Sequence, residues 1–189
     1  MKASGGHEPT LRIVSAMTAV LAGYDGFCSA HEPDVVATAV NLFYEAATQQ
    51  VYKHDGTLIG YRGGSLSAIW KAPHDQDEYA LSAARAASEI AVLDGPFGGM
   101  LVTVGVATGF VMVGILGSSL RRAYMAVGKP MTDSERLSAL AGPGEAYIDE
   151  TTWEGARGQI ESAAVVGLRG LGGVSVKDTV YRLLEGSSR

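Results

Sequence analysis

The 189-residue sequence contains one cysteine, Cys28, so no disulfide can form within the chain. That excludes the cross-linked scaffold of small secreted domains and predicts a reducing, cytoplasmic location. Positive charge is also scarce: 15 Lys and Arg stand against 20 Asp and Glu, a formal net charge of −5. A basic face that would track phosphodiester backbones is not encoded, so nucleic acid is not expected as a partner. The four histidines, His7, His31, His54 and His74, are scattered. They lack the short spacings of a metal-ligand set, and no metal is expected from them. The opening MKASGGHEPT has no apolar run and predicts no secretory signal. Residues 1–12 read as a flexible lead-in, or as the scar of a cut from a longer protein, and 13–189 as one domain. What is abundant is apolar: 47% of residues are hydrophobic and 19% charged, which argues against disorder.

Residues 98–119, GGMLVTVGVATGFVMVGILGSS, carry no charge and are long enough to suggest a membrane span. Six glycines and a run of valines argue instead for strands, with Thr108-Gly109 as the turn of a tight hairpin. No membrane span is therefore expected.

Elsewhere the periodicities alternate. Leu11–Gly23 is β-branched and apolar, with a central strand at about Ala16–Leu21 and a turn at YDGF. From Pro33 to His54, apolar residues at 35, 36, 39, 40, 43, 46 and 47 have helical spacing, and Asp34 near the start suits the helix dipole. Thr57–Tyr61 and Ser65–Trp70 read as a hairpin around Arg62-Gly63-Gly64. Gln76–Leu93 reads as a second helix, with Asp75 and Asp77 as capping or solvated charges. After the glycine-valine stretch come a short strand at Arg121–Val127, a helix at Pro130–Ala141, a strand and helical turn in GPGEAYIDETTWEGA, and two closing strands in VGLRGLGGVSVKDTVYRLL. The order β-α-β-β-α-β predicts an α+β fold: a ferredoxin-like sheet with helices on one face and extra C-terminal strands.

Several stretches then align with one family. VGVATGFVMVGILGSSLRRAYMAVG (104–128), PGEAYIDETTW (143–153) and DTVYRLL (178–184) resemble segments of the class III nucleotidyl cyclase catalytic domains, in the same order and spacing. The resemblance runs from about Thr18 to Leu184. It implies a dimer with sites across the interface. In such sites two aspartates of one subunit hold two divalent metals. The other subunit supplies a lysine and an aspartate or threonine to read the base, with an asparagine and an arginine for the transition state.

Carried over by position, the resemblance puts the first metal aspartate at Gly23, in LAGYDGF, and the second at Gly64, in GGSLSA. The base-reading positions fall on Gly60 and Met125, and the asparagine position on Thr132. Only the arginine, Arg136, is retained. Tyr24, Asp25, Gly26 and Phe27 occupy the turn that would face the phosphates. Arg62, Arg121, Arg122 and Lys129 are candidates to lie near Arg136, which could equally form a helix-surface ion pair with Asp133. Glycine offers a metal only its carbonyl, whereas magnesium takes hard oxygen ligands that usually include carboxylates. Asp25 stands two residues beyond Gly23, but a carboxylate there would repel phosphate oxygens.

The resemblance therefore implies a degenerate cyclase domain, catalytically inactive, with no cofactor. It would act as a regulatory, dimerisation or protein-interaction module, paired with itself or with another cyclase-like chain. One alternative is a subunit of a heterodimeric adenylate or guanylate cyclase, with Mg or Mn. Another is a cleft repurposed for a less polar ligand, lined by Gly23, Gly60, Gly64 and Met125.

Overall fold

A computed structural model describes residues 8–157, 159–165 and 179–184. The centre of the sheet is β1 (Thr10–Leu21), exposed at Thr10 and Leu11 and covered on both faces from Val14 onward. It pairs antiparallel along its whole length with β4 (Val102–Gly117), from Thr10 opposite Val113 to Leu21 opposite Val102. On its other edge it pairs with β3 (Ser65–Trp70), which forms a hairpin with β2 (Thr57–Arg62). Beyond β4 follow β6 (Ala146–Asp149), β8 (Val180–Leu183) and β7 (Ser162–Val165). The outer half of β4 also pairs with β5 (Arg122–Val127).

The period-2 alternation of β1 divides the core. Met17, Ala19 and Leu21 face α2 (Pro33–Lys53), α3 (Tyr79–Ala91) and α5 (Glu150–Ala156). α2 buries Ala39, Val40, Phe43, Ala47 and Val51, the three-and-four spacing that the sequence displays. Phe43 is fully buried, and removing a side chain of that size from water stabilises by about 1.5–3 kcal/mol. α3 turns alanines to the sheet, so it lies close against it. The expected α+β sheet, with these helices on one face and further strands at its C-terminal end, is observed.

The third long helix, α4 (Lys129–Leu140), lies across the opposite face. There Thr18 and Ser134 share a hydroxyl–hydroxyl hydrogen bond of 2.9 Å. Gly105 makes this approach possible: a Cβ at that position would stand 2.1 Å from the Ser134 carbonyl oxygen and 2.4 Å from the Ser138 nitrogen. On the same face Val14, Ala16, Ile69, Val111 and Ala126 form a second core, with Ile59 and Tyr124 packed against it. The sheet is therefore curled, and β2 and β5 meet over that core.

Three expectations need correction. Thr108-Gly109 is not a turn; β4 runs through it for 16 residues. Thr108 pairs with Ser15 and Gly109 with Val14, so the ladder is unbroken there. The hairpin turn falls at 118–121, where the Ser118 Oγ accepts the N–H groups of Leu120 and Arg121. YDGF is not a simple turn but the start of α1 (Tyr24–Ala30). β1 begins at Thr10, so the last residues assigned to the lead-in belong to the sheet. Asp75 is a solvated charge, one of the two roles expected for it: it is exposed and pairs with Arg12. Part of the closing pair of strands, 166–178, lies outside the described residues.

Candidate functional site

Two turns meet at one end of the sheet. The β1–α1 turn carries Gly23, and the β2–β3 turn carries Gly63 and Gly64. The Leu21 N–H donates to the Gly64 carbonyl at 2.8 Å and ties them together. Gly23 sits in the left-handed region at φ 82° and Gly63 at φ 53°, conformations that glycine adopts at least cost. Between the turns lies an open cleft of about 450 Å³, lined by Gly23, Tyr24, Asp25, Arg62, Gly64 and Ser65. The fold thus brings Gly23 and Gly64 to one site.

Tyrosines frame this cleft. The Tyr44 hydroxyl, on α2, donates to the Gly63 carbonyl. Its ring stacks on Tyr61 at 4.1 Å, and the Tyr61 hydroxyl is 2.7 Å from that of Thr48. Burial pushes the Tyr44 phenol above its ordinary range. Tyr24 has the most specific place. A Cβ at residue 64 would stand 2.6 Å from Tyr24 Cγ, 2.7 Å from Cδ2 and 3.0 Å from Cβ. The ring also passes over Gly63, whose added Cβ would lie 3.2 Å from Tyr24 Cε1. Hydrogen bonding with Cys28 leads the effects that raise the Tyr24 phenol pKa.

The family resemblance implies two divalent metals, and the residues lining this cleft do not fit them. Asp25 is the one carboxylate lining the cleft. The direction in which a carboxylate at 64 would leave the backbone is filled by Tyr24. Among the described residues, no group of three or more His, Cys, Asp and Glu is placed to hold a metal ion.

The remaining expected positions lie apart from this cleft. Gly60 is on β2 with open space over its Cα. Met125, on β5, is 39% exposed. Their strands touch, and their neighbours Ile59 and Tyr124 pack against the same core. Thr132 and Arg136 are on α4, and Arg136 Nη1 lies 3.3 Å from Asp133 Oδ1. Lys129 pairs with the same Asp133, while Arg62 reaches Glu135 at 3.7 Å. Of the expected cations, Lys129 lies on α4 with Arg136 and Arg62 reaches it from the β2–β3 hairpin, each facing a carboxylate. Gly26 is exposed on α1, and Phe27 is a core residue stacked on His31. Tyr44 and Tyr61 were not legible as site residues; nothing in their spacing separates them from other half-buried aromatics.

A second polar centre lies behind β4. Asp149 caps α5 by accepting the Thr152 N–H at 2.9 Å, and it also accepts the Thr108 N–H at 3.2 Å. Thr108 continues the chain of hydroxyls to Ser15 and Thr152 at 2.6 and 2.8 Å. Burial, the leading effect, pushes the Asp149 carboxyl above the usual range despite these bonds. Its acceptors are all engaged in holding α5 to the sheet.

No family model matches the chain. An uncharacterized protein of Mycobacterium tuberculosis, Rv1319c, is 32% identical over 109 residues, covering 56% of this chain and 20% of that protein. Adenylate cyclase 1 of Rhizobium meliloti is 25% identical over 145 residues, covering 72% and 22%. The chain thus spans about a fifth of the length of these relatives. Among solved structures, the adenylyl cyclase CyaB from P. aeruginosa superposes with a TM-score of 0.85 at 17% identity, over 96% of this chain and 98% of that one. The guanylyl cyclase Cya2 gives 0.81 at 22% identity, over 95% and 94%. No described helix is long and apolar enough to cross a membrane. Over nearly its whole length, this chain has the fold of the class III adenylyl and guanylyl cyclase catalytic domains.

Proposed function

We propose that the chain is a catalytically silent cyclase-fold module that works in cytoplasmic signalling by associating with a second cyclase-like chain, its own copy included. The observation that carries this reading is the cleft itself. Gly23 and Gly64 meet where the fold implies metal carboxylates, and Tyr24 covers one of them. Cyclisation needs the 3′-hydroxyl deprotonated and the triphosphate charge offset, which is metal work in phosphoryl transfer. Asp25 alone supplies neither two ligand sets nor a bridge between two ions. Base reading is equally unsupported, because Gly60 and Met125 offer no donor or acceptor side chain to a purine edge.

Association is supported by a row of exposed apolar side chains across three strands. Leu11, Met112 and Val127 stand in register at 64%, 40% and 56% exposure, beside Phe110 at 65%. An apolar row of this kind favours burial against a partner.

The test is direct. Purified protein is incubated with ATP or GTP and Mn²⁺, and cyclic nucleotide is measured; none is expected. Turnover that disappears in Arg136→Ala would overturn the reading.

A further inference from the structure

Tyr24 and Gly64 are interlocked. The three atoms nearest an added Cβ at 64 are Tyr24 Cγ, Cδ2 and Cβ, at 2.6, 2.7 and 3.0 Å. Of these only Cβ is fixed by the α1 backbone; Cγ and Cδ2 move with χ1, so room at 64 is made only by swinging the whole ring out of its seat over Gly63 and Gly64. Gly64 is itself buried and does not have a left-handed backbone. The backbone conformation at 64 therefore does not itself demand glycine, and the three atoms nearest an added Cβ all belong to Tyr24. Gly60, four residues earlier in the same hairpin, has nothing within 4 Å of its would-be Cβ. The restriction is local to the tyrosine.

We propose that the cleft is closed to a carboxylate at position 64 by Tyr24, so that the loss at 64 is locked in place by a second residue rather than being a simple deletion. This rests on the reading that Gly64 stands at a metal-carboxylate position. It adds that returning aspartates to 23 and 64 does not rebuild a metal site until the tyrosine is reduced. Tyr24 acts here through the space it fills, as a positioning residue.

Two measurements on the full chain test this without using turnover. The first is a double-mutant cycle on thermal stability. Gly64→Ala is expected to lower the melting midpoint by about 3–9 °C, the range for overpacking one carbon in a chain of this size. Gly60→Ala is expected to leave it unchanged within about 2 °C, as an open position should. Tyr24→Ala/Gly64→Ala should melt well above the sum of the single losses, while Tyr24→Phe/Gly64→Ala, which keeps the ring, should not. Additive losses would overturn the interlock, as would a Gly64→Ala variant as stable as the parent.

The second measurement is Mn²⁺ titration followed by electron paramagnetic resonance. Gly23→Asp/Gly64→Asp should bind at least tenfold more weakly than the same variant carrying Tyr24→Ala. Equal affinity would overturn the proposal. Either arm can fail while the parent chain remains inactive, so its failure is distinct from failure of the functional reading.

Discussion

Gly105→Ala probes the contact that sets α4 on the sheet. A Cβ there would stand 2.1 Å from the Ser134 carbonyl oxygen, against about 3.4 Å for an ordinary contact. Relief therefore takes a shift of about 1.3 Å between two backbones, because the Ser138 nitrogen and Leu137 Cβ block the neighbouring directions at 2.4 and 2.8 Å. Such a shift breaks the buried Thr18–Ser134 hydrogen bond and unseats Leu137, which is 4% exposed. Overpacking costs about 1–3 kcal/mol, and the backbone-to-backbone clash places this case at about 3. For a chain of this size that lowers the melting midpoint by roughly 6–12 °C. Differential scanning calorimetry of the parent and Gly105→Ala measures it. A variant melting within 2 °C of the parent would refute the reasoning, because α4 would then be free to lift away from β4 at little cost.

Three further outcomes follow from the same geometry. Asp149→Ala removes the α5 cap and the acceptor of the Thr108 N–H, and should cost about 2 kcal/mol in urea denaturation; a loss below 0.5 would show that α5 does not depend on the cap. Tyr44→Phe deletes the hydroxyl that holds the Gly63 carbonyl, so amide hydrogen exchange at 62–65 should quicken while the β1 amides keep their protection. Glu145 accepts from Arg182 at 2.8 Å, and this bond, outweighing the opposing effect of burial, holds its carboxyl below the usual range. Its stabilisation is therefore present above the usual glutamate value and is lost as pH falls through the lowered one. Glu145→Gln should melt about 1–3 °C below the parent at pH 7, and the gap should narrow as pH falls below the usual glutamate value; a gap that widens on acidification would count against the pairing.

Much of this structure was legible in the residue pattern. The spacing of Val36, Ala39, Val40, Phe43 and Ala47 announced α2, and the pair of runs around Gly63-Gly64 announced the β2–β3 hairpin. What misled was glycine, which marks close approach as readily as it marks a turn. Gly109 lies in mid-strand with Pro130 of α4 above it, where a Cβ would come within 3.0 Å. Periodicity along one segment cannot report that a distant helix will rest on it. α1 was missed because it is a single seven-residue helix with Gly26 inside it, held mainly by the buried Phe27. At the cleft, the meeting of Gly23 and Gly64 followed from the family resemblance. The seating of Tyr24 on Gly64 did not, because it depends on how α1 leaves the strand and not on any local pattern.

A cleft with Asp25 as its one lining carboxylate should not hold a pair of divalent ions. The most direct measurement is electron paramagnetic resonance of the parent chain with Mn²⁺ and a non-hydrolysable nucleoside triphosphate analogue. The account predicts only the signals of free and nucleotide-bound Mn²⁺, unchanged by the protein. A spin-coupled Mn²⁺ pair that forms with the parent chain and is lost in Asp25→Asn would contradict it.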